Sequence, residues 1–259
     1  MKNVMIANFQ KVREASSLDK LNTYLRAQIE NSLKVGWRAK DILLLTNFEY
    51  EFLGVKARVV PMDPMRVICS MSFGLQALFQ HGWADDVLWV HDLDAWQNAW
   101  FACPAFRDIG ICEYSDRHNI PRYNCGSVFL RPGAKDIVNL VHFLLASDKE
   151  KMREEPLYHR VLNAPAYEKR VTVLDGRYNV GTSGFVGRYE RSRKPILVCH
   201  FHPDDPTAAR VHMAGRNPLR VRTVGPRLAR IIEKYFDPFG RRNRTREGAC
   251  CPSKDVACL

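Results

Sequence analysis

The chain has 259 residues, with 39 Lys and Arg against 28 Asp and Glu, a formal net charge of +11 and a pI near 9.4. Its 46% hydrophobic content and its 13 Phe, 9 Tyr and 5 Trp exclude a chain that stays disordered. The longest apolar stretch, Ile137–Ala146, is broken by Asn139 and His142. It falls far short of the roughly 20 residues that a membrane-spanning helix needs.

In chain order, Val4–Phe9 reads as a first strand rather than a signal peptide, because no small-residue cleavage site follows it. Leu18, Leu21, Leu25, Ile29 and Leu33 recur at spacings of three and four, which predicts an amphipathic helix. Asp41–Thr46 and Val55–Val60 are buried strand runs, and Pro61 and Pro64 punctuate the chain before a helix from Met65 or Ser70 to Gln80. Val87–Val90 and Tyr123–Leu130 read as strands, and Lys135–Ala146 and Glu154–Leu162 as helices. Arg170–Leu174 and Ile196–Cys199 read as short strands, and Leu228–Phe236 as a helix. Such alternation predicts an α/β fold with a mixed, mostly parallel sheet covered on both faces.

Of the 8 cysteines, Cys69, Cys103, Cys112, Cys125 and Cys199 lie in or beside apolar segments, and no CxxC pair or zinc spacing occurs. A reducing, cytoplasmic setting is therefore expected. Cys258 is two residues too late for a prenylation box, which needs its cysteine fourth from the end. Composition shifts after Pro206: residues 208–247 hold 10 Arg and 1 Lys against 3 acidic residues. The expected organisation is a domain over 1–205, a basic extension over 206–247, and a disordered tail over 248–259 carrying Cys250, Cys251 and Cys258.

The most informative stretch is Val87–Trp96, where an apolar strand runs into Asp92-Leu93-Asp94. Side chains at i and i+2 of a strand share a face, so both carboxylates can emerge at its C-terminal end, the edge where open α/β sheets bind ligands. Paired carboxylates there repel unless a cation lies between them, and Mn²⁺ or Mg²⁺ bridged to a diphosphate is the natural partner. The plainer alternative is a helix-capping Asp beside a solvated one. Downstream, Ile196–His202 is again an apolar strand delivering polar groups. His200 and His202 share a face, with His200 preferred as the third ligand. Ala7 and Asn8 end the first strand, where a nucleotide would sit in a doubly wound sheet. Asn124 and Gly126 suit close approach of a ligand to the backbone, or an ordinary turn. Trp96 and Trp100 read either as stacking platforms or as core aromatics.

The order of these motifs, with Glu154-Glu155 ahead of a helix and Arg177-Tyr178-Asn179 late in the chain, resembles nucleotide-sugar glycosyltransferases of the GT-A fold. The retaining glycogenin and bacterial galactosyltransferase type is the nearest likeness. The resemblance implies a GT-A, Rossmann-like sheet and a nucleoside diphosphate sugar donor, with uridine as the nucleoside. It implies Mn²⁺ or Mg²⁺ held by Asp92, Asp94 and His200, sugar contacts from Asn124 and Gly126, and a catalytic acidic residue at Glu154 or Glu155. Asn179 joins the donor-binding set. Read from the residues alone, Glu154 and Glu155 are instead a helix N-terminal pair favoured by the dipole, and Asn179 a turn former. The family's late Gly and Lys are missing after His200, so Arg188, Lys194 or Arg210 would have to clamp the diphosphate. The concentrated positive charge points to a polyanionic acceptor, with hydroxylated bases in DNA, as for virus-encoded DNA-glycosylating transferases, as the leading reading. Two alternatives remain: a metal-dependent nucleotidyltransferase or phosphohydrolase, which would also use Asp92 and Asp94, and a non-catalytic basic nucleic-acid-binding protein, which would need neither.

Overall fold

A computed structural model describes residues 1–9, 15–113, 123–147 and 153–239. The basic run Arg241–Arg246 and the tail bearing Cys250, Cys251 and Cys258 lie outside the described residues. The elements are β1 (Lys2–Ala7), α1 (Ala15–Val35), β2 (Ile42–Thr46), β3 (Glu51–Phe52), β4 (Val55–Val59), α2 (Ser70–Gln80), β5 (Leu88–His91), β6 (Ala95–Gln97) and β7 (Ile109–Glu113). They continue with β8 (Tyr123–Leu130), α3 (Lys135–Ser147), α4 (Glu154–Leu162), β9 (Val171–Leu174), β10 (Val180–Gly181), α5 (Phe185–Arg191), β11 (Val198–His200), α6 (Pro206–His212) and α7 (Pro226–Tyr235).

The main sheet has the order β3-β4-β2-β1-β5-β8-β7-β9. Four of its seven pairings are parallel, β4 with β2, β2 with β1, β1 with β5, and β7 with β9. β8 runs antiparallel to both of its neighbours. A second sheet has the order β10-β11-β6.

Period-two alternation explains how the strands bury both faces. Val4, Leu43, Leu45, Leu88, Val90, Val128 and Leu130 turn to the face covered by α2, α3 and α4. Their neighbours Met5, Leu44, Trp89 and Phe129 turn to the other, against Leu25 and Ile29 of α1 and Trp37. A third cluster joins Tyr24 and Ala27 of α1 to Trp96, Cys199 and Phe201, and to Leu228, Ile231 and Ile232 of α7. Polar side chains of α1 also serve the second sheet: Gln28 Nε2 donates to the Leu93 and Ala95 carbonyls, and Asn31 Nδ2 to that of Gln97.

The long periodic segments fold as expected, while several short ones differ. A single 3₁₀ turn, Val67–Cys69, precedes α2, which begins at Ser70. The strand expected at Ile196–Cys199 is shifted to Val198–His200. β7 escapes the pattern reading because Gly110 interrupts it. A Cβ there would lie 3.0 Å from both Leu174 Cδ1 and Phe106 Cγ, so packing of this strand against its neighbours leaves little room for a side chain. Trp96 is fully buried with Nε1 donating to the Phe201 carbonyl, which removes it as a stacking platform. Cys69, Cys112, Cys125 and Cys199 are buried free thiols, whereas Cys103 is exposed. No helix among the described residues is long and apolar enough to cross a membrane.

Candidate active site

The C-terminal ends of β1, β5, β7 and β9 and the start of β8 lie along one edge of the sheet, and the candidate residues gather there. Asp92 and Asp94 are not on a strand. They occupy the tight turn between β5 and β6. Their convergence is therefore set by the turn, in which Asp92 N–H donates to the Gly126 carbonyl and Ala95 N–H to that of Asp92. Opposite them, the end of β11 supplies His200, whose Nε2 lies 3.2 Å from Asp94 Oδ1 and 3.7 Å from Asp92 Oδ2. His202 also faces Asp94, at 3.3 Å, but it is far more exposed than His200. Asp92, Asp94 and His200 each offer a ligand atom within 4.8 Å of the others.

A chain of hydrogen bonds orients the ring of His200. Asn124 Oδ1 accepts from Gly126 N–H at 2.8 Å and from Asn179 Nδ2 at 2.7 Å. That orients the Asn179 amide, so its Oδ1 meets His200 Nδ1 at 3.1 Å as an acceptor. Nδ1 is thereby occupied by Asn179, and Nε2 is the nitrogen that faces the two carboxylates, where it donates to Asp94 when protonated and would be the atom offered to a metal ion. Gly126 is needed for this packing: a Cβ there would lie 2.1 Å from His200 Cε1 and 3.0 Å from Asn124 Oδ1.

The electrostatics are those of a site short of positive charge. Enclosure by the cleft walls, and then the charge of Asp94, push the Asp92 carboxyl up, to about 7. Because 52% of the Asp92 side chain is still open, repulsion by Asp94 is the firmer cause. Burial also works against ionisation of Asp94, but His200 and His202 outweigh it and pull that carboxyl down to about 2. Burial alone would lower His200, yet Asp94 and Asp92 raise it to about 9. In the absence of a cation the imidazole stands in for one. A divalent ion fits this set of two hard carboxylate oxygens and one neutral nitrogen.

Two cavities flank the cluster. One, of about 330 Å³, is lined by Asp92, Asn124, Gly126, His200, Glu154 and Glu155 among others. Within it, Glu155 Oε1 accepts the Cys125 N–H at 3.1 Å, over the backbone of β8. Glu154 turns inward, where its Oε2 accepts the Ser72 N–H at 3.3 Å, and burial pushes its carboxyl well above the ordinary range. The other cavity, of about 510 Å³, is mainly apolar and includes Asn8, Tyr24, Leu93, Asp94 and His202. Asn8 is buried, with Nδ2 donating to the Asp63 carbonyl. Ala7 lies in the core beneath this edge. Val67 and Ile68, exposed residues outside the sequence-based candidates, line both cavities.

His91 was another residue the motif did not single out. It is buried beneath the turn, stacked on Trp89, and burial lowers its pKa to about 4. Its neutral ring places Nδ1 2.9 Å from the Asp92 carbonyl and Nε2 2.8 Å from Asn3 Oδ1. A histidine at an inward strand position immediately before D-x-D was the available signal. Trp100 is away from the cluster, packed on Trp37. Of the cations proposed for the diphosphate, Lys194 donates to the Tyr189 and Ser192 carbonyls, Arg210 is exposed on α6, and Arg188 lines a different cavity.

No family model matches the chain, and no curated protein matches it. Solved structures do. A galactosyltransferase, LgtC, in complex with donor and acceptor sugar analogues, aligns at 14% identity and a TM-score of 0.53, covering 90% of this chain and 96% of that one. The glycosyltransferase GlyE of Streptococcus pneumoniae TIGR4 aligns at 13% identity and a TM-score of 0.53, covering 98% and 66%. The chain has the GT-A glycosyltransferase fold. In a GT-A frame, the Asp92–Asp94–His200 cluster lies at the ligand-binding edge of the sheet, beside two cavities.

Proposed function

We propose that the protein is a metal-dependent glycosyltransferase that moves a sugar from a nucleoside diphosphate sugar to a hydroxyl acceptor. One observation carries this reading: Asp92, Asp94 and His200 converge at the sheet edge of a GT-A fold, with the His200 ring oriented by Asn179. The ion, Mn²⁺ or Mg²⁺, would be held by these three residues and would neutralise charge on the departing diphosphate.

The chain's own residues then divide the work. Asn124 and Gly126 shape the wall against which the donor sugar rests, and Glu155 presents a carboxylate in the same cavity. Glu154, turned to Ser72, anchors the start of α4 against α2. Its catalytic role is accordingly the weaker of the two carboxylates'. Asn8, with Ala7 behind it, borders the apolar cavity suited to a base, and uridine is proposed on the resemblance. Retention of configuration is likewise proposed on the resemblance.

The proposed organisation is a catalytic part over 1–205 with a basic extension beyond it, working in the cytoplasm. A polyanionic acceptor, with nucleic acid as one form, rests on Arg210, Arg216, Arg220, Arg222 and Arg230, all exposed. Arg227 does not belong with them, because it turns inward to the Gln97 and Asn98 carbonyls. Retention of duplex DNA that is unchanged by reversing these five charges would rule nucleic acid out.

The deciding experiment is calorimetric titration with uridine diphosphate, with and without Mn²⁺. The expected result is binding that requires Mn²⁺ and disappears in Asp92→Asn/Asp94→Asn. Absence of binding, followed by the same result with guanosine and cytidine diphosphates, would overturn the reading in favour of a nucleotidyltransferase, phosphohydrolase or binding protein.

A further inference from the structure

The turn that carries Asp92 and Asp94 leads into β6, the outer strand of the second sheet. β6 pairs with β11 on one side, where the Phe201 N–H donates to the Asp94 carbonyl at 3.0 Å. The carbonyls of Leu93, Ala95 and Gln97, at alternate positions, turn to the other edge, where α1 packs. Side-chain amides of α1 take the place of a neighbouring strand. Gln28 Nε2 donates to the Leu93 carbonyl at 2.8 Å and to the Ala95 carbonyl at 3.0 Å. Asn31 Nδ2 donates to that of Gln97 at 3.0 Å. Both partners of Gln28 are carbonyl oxygens, so its amide nitrogen must face them. Gln28 is 1% exposed, and water has no access to replace either bond.

The two carbonyls held by Gln28 flank Asp94. One side chain therefore fixes the peptide ahead of Asp94 and the peptide after Ala95. The peptide between them is held by Phe201 N–H on the Asp94 carbonyl and by the bond from Ala95 N–H to the Asp92 carbonyl. With three successive peptides fixed, the direction of the Asp94 side chain is set, and its Oδ1 lies 3.2 Å from His200 Nε2. Gln28 serves as a fixed reference because α1 is anchored just beyond it. Ser32 Oγ accepts from Asn3 Nδ2 of β1 at 3.0 Å, and Glu30 is bonded to Lys234 and Tyr235 of α7.

We infer that Gln28 is a positioning residue of the metal cluster. It acts through the backbone on either side of Asp94 and fixes the direction in which that carboxylate is presented. The inference rests on the metal-dependent reading above. Asn31 is its internal control: it is equally buried on the same helix and bonds the same strand, but at a carbonyl three residues beyond Asp94.

Mn²⁺ is titrated into the full chain as wild type, Gln28→Met and Asn31→Leu, and the melting temperature of each is recorded. Methionine keeps the length and approximate volume of glutamine but offers no donor. Gln28→Met is expected to weaken Mn²⁺ binding by about 10–100-fold, the effect of losing a group that orients a ligand. Asn31→Leu lowers the melting temperature comparably and leaves Mn²⁺ affinity unchanged. At saturating metal, the electron paramagnetic resonance spectrum of bound Mn²⁺ should change in Gln28→Met and match wild type in Asn31→Leu. Loss of stability alone does not produce that difference. Gln28→Asn, one methylene shorter, keeps a donor in the core and should fall between, and it carries the test if Gln28→Met does not fold. Wild-type affinity and spectrum in the Gln28 variants, or equal weakening in Asn31→Leu, overturn the inference and leave the metal reading standing. A wild type that binds no Mn²⁺ overturns both.

Discussion

Glu30 and Asp94 are both nearly buried carboxylates in charged clusters, yet their surroundings are opposite. Glu30 on α1 has its charge answered from within: Oε1 meets Lys34 Nζ at 2.6 Å, and Oε2 meets Lys234 Nζ at 2.5 Å and accepts from Tyr235 Oη at 2.6 Å. Asp94 shares His200 with Asp92, so two carboxylates face one largely enclosed imidazole, with the exposed His202 alongside. The first cluster is complete and fastens α7 to α1. The second sets two carboxylates against one shared imidazole at the border of two cavities. Completeness separates a charge cluster that holds the fold from one suited to binding a ligand.

The largest effect should come from breaking the second cluster. Asp92→Asn/Asp94→Asn is expected to weaken Mn²⁺-dependent nucleotide binding by about a hundredfold or more, a loss of several kcal/mol of electrostatic attraction. Because Asp92 is repelled in the metal-free protein, Asp92→Asn alone should hold or raise its melting temperature. A fall of several degrees would mean that this carboxylate belongs with Glu30 as a structural group.

The supporting shell gives the next test. Asn179→Ala releases His200 Nδ1, and Gly126→Ala drives a methyl into the His200 ring. Each should cost about 10–100-fold in metal affinity, measured by Mn²⁺ titration, while the far-ultraviolet dichroism stays native. Unchanged affinity in both would remove His200 from the ligand set.

The complete cluster should respond in stability alone. Glu30→Gln is expected to cost about 2 kcal/mol, roughly 5 °C in melting temperature, without altering Mn²⁺ binding. Burial tends to raise the Glu30 carboxyl, but its bonds to Lys234, Lys34 and Tyr235 lower it to about 2. The folded value lies below the ordinary 4.5, so its contribution is present above that pH and is lost as the pH falls toward about 2. The difference between wild type and Glu30→Gln should therefore close over that acidic window.

What was legible in the sequence followed the same division. Strongly patterned elements such as α1, β2, β8 and α3 could be read, because burial on one or two faces leaves a periodic record. β6, β10 and α5 could not, since elements of two to seven residues carry too little pattern. Asp92-Leu93-Asp94 stood out because consecutive strand, acid and acid have no packing rationale, although the geometry bringing them together is a turn. The Asn124–Asn179–His200 relay was invisible as a relay. It joins residues 21 and 55 positions apart through side-chain orientation, which spacing does not encode. The opposite roles of Glu154 and Glu155 were equally hidden, because adjacent acids at a helix start read alike until their directions are known.

That adjacent pair supplies the smallest expected effect. Glu154 is buried against the Ser72 N–H, and burial holds its carboxyl well above the ordinary range, which favours the neutral acid. Glutamine has nearly the same shape and keeps an oxygen to accept that N–H. Glu154→Gln should therefore change stability by less than about 0.5 kcal/mol, whereas Glu154→Ala leaves the Ser72 N–H without its acceptor and costs about 1–3 kcal/mol. The pH dependence runs opposite to that of Glu30. A raised folded value means that the stabilisation is fully present below the ordinary carboxylate value and is lost as the pH rises through the folded one. Wild type should accordingly lose stability relative to Glu154→Gln as the solution is made alkaline. Parallel melting curves for the two proteins from pH 5 to pH 9 would show instead that Glu154 is ionised in the fold and belongs with Glu155 as a charged group of the cavity.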